Sequence, residues 1–447
     1  YYAAPMASML LADQGANVVR VLRPGGPELP PAQHRLLNRN KRLIELDLGT
    51  QEGRSTARSL ALRADVVIES YRPGVMARHG LDHESLSAEH PGLIHLSLPG
   101  FASADAERRG IQAWEGVVAA AAAQYTTGLR QRLGFPPLYV PAPVCSAFAS
   151  VHGAIAVLAA LRARDRGVGG TRLEVPLVNA GISTCTRSFV YDGGRLRAEG
   201  PPAETLPPVL AALVVASDDD ERTRADKQAA FARLAPPIFT THLYRTADDR
   251  RLLVMPIKPE MAQRFFALLG LEGRLRAEGF VIESPWERFD AGQANLASAW
   301  TLSRERALRV IELVEGVIAK ESGAHWERVF AEAGIPVTYL RTREEWLGTA
   351  SLLEGGLLTR MDDGGSELVV PGPLADVRMP GSAAPTPPAR EPAPLARDEV
   401  PSVFSAARSE ARDGRGRAES APGTTRKRDL LAGLKVLFLP RVLVIDD

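Results

Sequence analysis

An adjacent thiol and hydroxyl, Cys145 and Ser146, open a long apolar segment and are nucleophile candidates. A thiolate can accept an acyl group, but a thiol or hydroxyl normally needs an activating base. His152 lies six residues beyond Ser146 and off its helical face, so it is read as a packed helix residue. No Asp or Glu occurs between Glu115 and Asp165, and Asp165, at the far end of the segment, is expected to be a surface charge.

Individual basic side chains are the second chemical feature of the chain. The formal net charge is +1, which gives no global field that would favour nucleic acid or an acidic membrane. Neither is therefore expected as a partner, and an acidic ligand must be held by local cations. Arg23 and Arg72 stand beside Pro-Gly turns at the ends of predicted strands, where ligands collect in open α/β sheets.

The composition is that of an ordinary soluble globular protein, with 45% hydrophobic and 24% charged residues in a chain of 447. Two cysteines, Cys145 and Cys185, exclude a disulfide framework and fit a reducing, cytoplasmic compartment. The sequence shows no metal-ligand spacing and no glycine-rich phosphate loop, so no metal and no permanently bound cofactor are expected. The chain begins with Tyr1 and shows no signal-peptide pattern, so it is expected to start inside a longer reading frame.

Helices and strands alternate through the first part of the chain. Strands as apolar as these, separated by helices, predict a parallel sheet covered on both faces, that is, a large Rossmann-like α/β domain. Residues 140–161 form the longest weakly charged run, but two prolines and a histidine interrupt it, which favours a buried core helix from about 147 to 164 over a membrane span. The predicted strands are 18–22, 43–48, 64–69, 93–98 and 171–177.

Composition shifts divide the chain into further parts. Residues 205–330 are predicted to be a smaller inserted α+β domain with a hairpin around Asp248 and Asp249, and residues 334–340 a strand that returns to the large domain. The large domain is therefore expected to comprise residues 1–190 and 334–380. Residues 381–429, rich in Pro, Ala, Ser and Arg, are predicted to be a flexible linker. Residues 430–447 begin with a new apolar strand.

Five motifs occur in order along residues 3–380. They are residues 3–26 (AAPMASMLLADQGANVVRVLRPGG), 38–42 (NRNKR), 64–76 (ADVVIESYRPGVM), 91–101 (PGLIHLSLPGF) and 334–337 (GIPV). Together they resemble the family III CoA transferases of the CaiB/BaiF type, the superfamily of formyl-CoA transferase and the α-methylacyl-CoA racemases. The resemblance implies the same two-domain fold, with acyl-CoA and an organic acid as substrates.

The resemblance also implies a covalent mechanism. Members of the family move CoA through acyl-aspartyl and aspartyl-CoA intermediates, and the Asp lies at the start of the apolar helix. That position falls on Ser146, or on Cys145 if the register slips by one, and neither is a carboxylate. This copy is therefore predicted to lack the catalytic Asp.

Ligand-binding residues are implied by the same motifs. CoA carries phosphates that need basic partners and an adenine that needs an apolar slot. Phe101 is expected either to line that slot or to pack under its loop. The cations that match basic positions of the family are Arg23, Arg39, Lys41, Arg42 and Arg72.

Three functions remain open on this resemblance. They are CoA transfer between carboxylic acids, a non-catalytic acyl-CoA-binding or scaffolding domain of a tandem protein, and an acyl-CoA racemase, which needs the same missing base. Because members of the family form interlocked dimers, a homodimer or a tandem pseudo-dimer is expected.

The end of the chain resembles the N-terminal strand of the family. The favoured interpretation is the start of a second domain copy after a linker. The alternatives are a rearranged chain whose end completes its own beginning and, less well supported, a receiver-like start in residues 441–447.

Overall fold

The structure, a computed structural model, describes residues 2–25, 30–126, 137–185, 191–192, 195–196, 212–213, 219–234, 237–283, 294–297, 302–362, 367–373, 390–404 and 435–439. The chain forms two compact units. The first comprises Tyr1–Tyr125, Tyr139–Phe189 and Leu347–Asp447, and the second comprises Thr126–Leu138 and Val190–Trp346.

The helices are numbered in chain order. They are α1 Ala3–Asp13, α2 Pro31–Asn38, α3 Gln51–Ala61, α4 Val75–Arg78, α5 His83–Ser87, α6 Glu115–Ala121, α7 Val144–Asp165, α8 Leu177–Thr184, α9 Glu221–Leu234, α10 Pro259–Leu268, α11 Glu272–Ala277, α12 Arg304–Ile318, α13 Gly323–Glu332, α14 Arg343–Leu347 and α15 Ala350–Glu354.

The strands are numbered in the same way. They are β1 Asn17–Leu22, β2 Lys41–Glu45, β3 Val66–Glu69, β4 Ile94–Ser97, β5 Thr171–Glu174, β6 Tyr191–Asp192, β7 Arg195–Leu196, β8 Leu243–Arg245, β9 Arg251–Val254, β10 Phe280–Val281, β11 Ala294–Asn295, β12 Val337–Tyr339, β13 Leu358–Asp362, β14 Glu367–Pro371, β15 Ala393–Pro394 and β16 Lys435–Leu439.

The first unit is built on a seven-stranded parallel sheet with the order β15-β2-β1-β16-β3-β4-β5. Successive side chains of a strand point to opposite faces, so β3 contributes Val66 and Ile68 to one core and Val67 to another. Helices α1, α6, α7 and α8 contribute to the first core, and α3, α4 and α5 contribute to the second. The predicted parallel α/β sheet with both faces covered is confirmed.

Helix α7 is the long apolar helix that the sequence predicted. Its length and composition alone would allow it to cross a membrane, but 44% of its most apolar window is buried within the protein. Small residues let its neighbours approach closely. A Cβ atom on Gly181 of α8 would lie 2.5 Å from the Cys145 sulfur, so only glycine fits at this helix contact.

Residues 390–404 correct the predicted linker. β15 pairs with β2, and the side chains of Leu395, Val400, Val403 and Phe404 are buried in the second core of the first unit. Four well-spaced apolar side chains thus anchor a segment whose overall composition predicted flexibility. The rest of the predicted linker lies outside the described residues.

The strand at the end of the chain, β16, lies between β1 and β3 and pairs with both in parallel. Within this chain the end therefore supplies a central strand of the sheet that the beginning forms, as the alternative interpretation of the sequence expected. The proposed second domain copy and the receiver-like start remain predictions, because residues 440–447 lie outside the described residues.

The second unit packs its own core around β8, β9 and helices α10 to α13. β8 and β9 form the predicted hairpin, with Leu243 opposite Leu253, and Asp249 adopts the positive φ of a tight turn. Residues 334–340 contain the predicted strand, β12, but the strand does not return to the large domain, because it pairs antiparallel with β9 inside this unit. β12 pairs with the edge of β9 that β8 leaves open. The chain returns to the first unit at Leu347.

Candidate functional site

A cavity of about 190 Å³ lies in the first unit, where three parallel strands end. Ser70 follows β3, Leu98 follows β4, and Leu177 begins the helix after β5. Tyr2, just before α1, and Ser146, in the first turn of α7, complete the wall. This is the carboxyl edge of the sheet, where open α/β folds bind their ligands.

Glu115, the first residue of α6, places its carboxylate on the first turn of α7. Its Oε1 accepts a hydrogen bond from the backbone N–H of Cys145 at 2.8 Å. Its Oε2 accepts one from the backbone N–H of Ser146 at 3.0 Å and one from the Ser146 hydroxyl at 2.5 Å. A carboxylate therefore does occupy the start of this helix, although it comes from thirty-one residues earlier in the chain.

The sequence around the helix start explains why this contact forms. The first N–H groups of a helix have no partner within the helix and are usually capped by a preceding Ser, Thr, Asp or Asn. In α7 the N-cap residue is Pro143, which has no side-chain acceptor. Glu115, which belongs to α6, provides the missing cap. Its carboxylate is also favoured there by the positive end of the helix dipole.

Burial and the Glu115 carboxylate together raise the pKa of the Cys145 thiol to about 12. The side chain is fully enclosed in the core of the first unit. A thiol whose pKa is raised stays protonated to higher pH, and the protonated form is a poor nucleophile. The structure therefore argues against the candidate role of Cys145 as a nucleophile.

We expect Cys145 to resist alkylation in the native protein. With a pKa near 12, roughly one thiol in 10⁴ is ionised at pH 8, so iodoacetamide should label partly exposed Cys185 first. Peptide mass spectrometry before and after unfolding in urea measures both sites. Rapid labelling of Cys145 in the folded protein would contradict this environment.

The remaining candidates near the helix start are separated from one another. Ser146 lines the cavity, although only 4% of its surface is exposed. The ring of His152 stacks edge-on with Phe148 on the exposed side of α7 and does not reach Ser146. Asp165 is exposed at the last residue of the helix, as predicted. The base that sequence reasoning could not find for Ser146 is in contact with its hydroxyl, and it is Glu115.

Arg72 is the one predicted phosphate ligand that lines the cavity, within the described part of the chain. It donates a hydrogen bond to the carbonyl of Gly110 at 2.9 Å. It also borders a second cavity of about 760 Å³, which contains two further arginines, Arg109 and Arg172. Arg72 thus lines both cavities.

Arg39 and Lys41 were predicted to bind the ligand, but in the structure both cations are buried and bonded to groups of the protein itself. The Arg39 guanidinium forms a buried ion pair with Asp13 at 2.6 Å and donates to the carbonyls of Pro371 and Gly372. The Lys41 ammonium, also buried, donates to the Pro5 carbonyl and the Ser8 hydroxyl. Burial, with nearby Arg20 as the next cause, lowers the pKa of Lys41. Both cations tie α1 to the chain at the start of β2, which argues for a structural role.

The other candidate residues do not line the first cavity in the described part of the chain. Arg42 forms an exposed ion pair with Glu399 at 2.7 Å, and Arg23 follows β1 at the sheet edge. Neither is among the described residues that line the cavity, and their role in binding stays a prediction. Phe101 is 4% exposed and packs in the first core, which favours the packing alternative over the adenine slot.

Within the described ranges, no three His, Cys, Asp or Glu side chains are grouped so that they could hold a metal ion. Sequence reasoning missed Glu115 because its contact is long-range. The signal available was indirect: the apolar helix begins after Pro143 with no capping side chain, so its N–H groups require an acceptor from elsewhere.

Comparisons with known proteins agree with this geometry. The sequence model of CoA-transferase family III matches residues 1–396. The CoA-transferase/lyase DddD of Marinomonas sp. is 32% identical over 386 residues, which are 83% of this chain and 44% of that protein. The succinyl-CoA:mesaconate CoA-transferase of Haloarcula hispanica is 34% identical over 229 residues, which are 46% of this chain and 57% of that protein. The chain thus spans about half the length of these two curated relatives.

A solved structure shows the same fold. A CAIB/BAIF family protein from Brucella suis superposes with a TM-score of 0.62 at 19% identity, covering 91% of this chain and 95% of that one. The fold and the cavity at the carboxyl edge of its sheet define a two-unit α/β protein. The chain belongs to CoA-transferase family III.

Proposed function

We propose that the first unit binds an acyl-CoA thioester, with the acyl end in the cavity beside Ser146 and Glu115. The main support for this proposal is that Tyr2, Ser70 and Arg72 line the same cavity as the start of α7, at the carboxyl edge of the sheet. The chain thereby takes part in transfer of CoA between an organic acid and an acyl-CoA, as part of a cytoplasmic protein.

The second cavity supports a location for the phosphates of CoA. Arg72 lines both cavities, and Arg109 is exposed, with no side-chain partner among the described residues. Arg172 is paired there with Glu174 at 3.1 Å. Glu69, Asp82 and Glu84 also line this cavity, so Arg109 is the cation there that best suits a phosphate of a ligand whose thioester lies in the first cavity.

Replacing Arg72 by methionine should weaken binding of CoA and acetyl-CoA by roughly 10- to 100-fold, because a hydrogen bond to a charged group contributes about 1.5–3 kcal/mol. Isothermal titration calorimetry on the full chain gives the affinities. Arg276→Met is the matched control, since Arg276 is exposed, paired with Glu272 in the second unit and outside both cavities, and should leave affinity unchanged. Equal losses in both variants would contradict the proposed site.

A second candidate function is a non-catalytic acyl-CoA-binding domain of a tandem protein. The observation in its favour is residue 146, where a hydroxyl stands at the helix position of the family's Asp. An ester at Ser146 cannot exchange its acyl group for CoA through an anhydride. A racemase would meet the same lack of a carboxylate at residue 146.

We further propose that a second family III domain, in another copy of this chain or a linked one, covers the outer face of α7. Phe148, Val151, Ile155 and Leu158 share that face and are 37–57% exposed. Trp114 and Val117, at the start of α6, are also exposed. Contiguous apolar surface of this kind marks protein–protein contact sites.

Ile155→Glu should convert a dimer of the chain to a monomer, because it places a charge in the centre of the apolar face. Size-exclusion chromatography with light scattering measures the mass. Val168→Glu is the control, since Val168 is a single exposed apolar residue beyond the end of α7. A wild-type chain that is monomeric at micromolar concentration, or a dimer that Ile155→Glu leaves intact, would contradict a homodimer through this face.

A further inference from the structure

Glu115 stands where a covalent carboxylate would have to stand. Its Oε2 lies within 3.0 Å of both the backbone nitrogen and the hydroxyl of Ser146. It lines the cavity together with Tyr2 and Arg72, and it is only half-buried. Burial and, second, the Glu115 charge raise the pKa of Tyr2, whose side chain shares the cavity wall with the carboxylate.

The donors around Glu115 differ in how firmly they hold it. The backbone N–H groups of Cys145 and Ser146 are fixed by the helix and keep the carboxylate in place. The Ser146 hydroxyl is a rotor that can turn away and free a lone pair of Oε2. Once released, it can donate to the oxyanion that develops on a bound thioester carbonyl.

We propose that Glu115 is the nucleophilic carboxylate of this domain and carries first an acyl group and then CoA. This inference rests on the proposed binding of acyl-CoA in the same cavity. It replaces the sequence-based expectation that the domain has no carboxylate at this point, since folding brings one there from α6.

The chemical steps are those of any carboxylate acyl carrier. Glu115 Oε2 attacks the thioester carbonyl, the C–S bond breaks, and CoA leaves as a thiolate, so that a mixed anhydride forms. The thiolate then attacks the Glu115 side-chain carbonyl of the anhydride and expels the first acid as its carboxylate, leaving a glutamyl-CoA thioester. An incoming carboxylate reverses both steps, so no oxidant, reductant or net proton is needed.

The neighbouring nucleophiles fit this role less well. Cys145 is enclosed, and its thiol remains protonated. Ser146 would form an ester, which does not activate the acyl group as an anhydride does. Asp105 and Glu107, the carboxylates that precede Glu115 most closely in the sequence, lie in the turn before α6 and are paired with Arg108.

The test is to trap the carrier in the full chain. The protein is incubated with succinyl-CoA and then with hydroxylamine, which converts an anhydride or thioester of a glutamate to a hydroxamate, and peptide mass spectrometry locates the product. We expect the hydroxamate at Glu115 and a yield at least roughly 100-fold lower in Glu115→Gln. Glu107→Gln, which alters an exposed carboxylate of the same segment, should retain the wild-type yield.

Calorimetry with succinyl-CoA separates the two proposals. If Glu115→Gln binds the thioester with wild-type affinity, its pocket is folded and loss of the hydroxamate reports chemistry. Wild-type protein that binds succinyl-CoA but gives no hydroxamate at Glu115, or gives it at another residue, overturns the carrier role and leaves the binding function intact. Wild-type protein that does not bind the thioester overturns both.

Discussion

Replacing Arg39 by methionine is expected to lower the free energy of unfolding by about 3–5 kcal/mol, because it leaves the Asp13 carboxylate buried without its counter-ion. Arg39 and Asp13 are each almost fully enclosed, with 1% and 2% of their side chains exposed. All three guanidinium nitrogens donate hydrogen bonds. Nε and Nη2 donate to the Asp13 carboxylate, Nη1 donates to the carbonyl of residue 371, and Nη2 also donates to the carbonyl of residue 372. Urea denaturation measures the loss.

Arg42→Met provides the comparison, because its ion pair with Glu399 is exposed and pairs of that kind contribute about 0–1 kcal/mol. The double variant Asp13→Leu with Arg39→Met should recover part of the stability, since no charge is then left unpaired. A loss for Arg39→Met no larger than that for Arg42→Met would show that the buried pair does not hold α1 against β2.

Binding measurements complete this test of the basic motif of residues 38–42. A structural Arg39 predicts that the variant, measured where it is still folded, keeps its affinity for CoA. The motif has the composition of a phosphate site, yet in the structure Asn38 accepts from Arg20 at 2.7 Å, and Asn40 donates to Asp13 at 2.8 Å. The segment is a polar junction between elements that are distant in sequence.

Local patterns predicted the architecture well. Apolar strands such as Val66–Glu69 and the helices between them were enough to predict a parallel sheet covered on both faces, because burial on two faces leaves a direct trace in composition. The same logic predicted α7 and the β8–β9 hairpin. It failed for residues 390–404, where Leu395 and Phe404 are buried although prolines and charged residues dominate their surroundings.

The candidate site was less predictable for a physical reason. Whether a cation binds a ligand or an internal carboxylate depends on contacts that composition does not encode, as with Arg39 and Asp13, which are twenty-six residues apart. Glu115 escaped notice in the same way. Its contacts are determined by the start of a helix thirty residues further along the chain, whose backbone N–H groups need an acceptor.

Replacing Ser146 by aspartate restores a carboxylate at the position the family resemblance marks, and it should destabilise the protein at pH 8. The Ser146 hydroxyl is 2.5 Å from Glu115 Oε2, so the new side chain would place a second negative charge against the first. Two carboxylates this close cannot both ionise without raising the pKa of one of them by about two units or more, which corresponds to about 2.7 kcal/mol or more.

The sign of the pH dependence follows from that shift. A carboxyl whose pKa is raised in the folded state is destabilising above that pKa, and the penalty disappears below its unfolded value of about 4. The stability difference between wild type and Ser146→Asp should therefore shrink as the pH falls from 8 towards 4. Urea denaturation at several pH values measures it, with Ser146→Ala as the control that loses the hydroxyl without adding charge.

Neutralising the partner should remove the conflict. In the double variant Ser146→Asp with Glu115→Gln, one carboxylate remains at the helix start and the amide oxygen of residue 115 can still accept from its N–H groups. Stability at pH 8 should return to within about 1 kcal/mol of wild type. A penalty that is equal at pH 8 and pH 5, or that persists in the double variant, would mean that steric misfit, and not charge, excludes a carboxylate from residue 146.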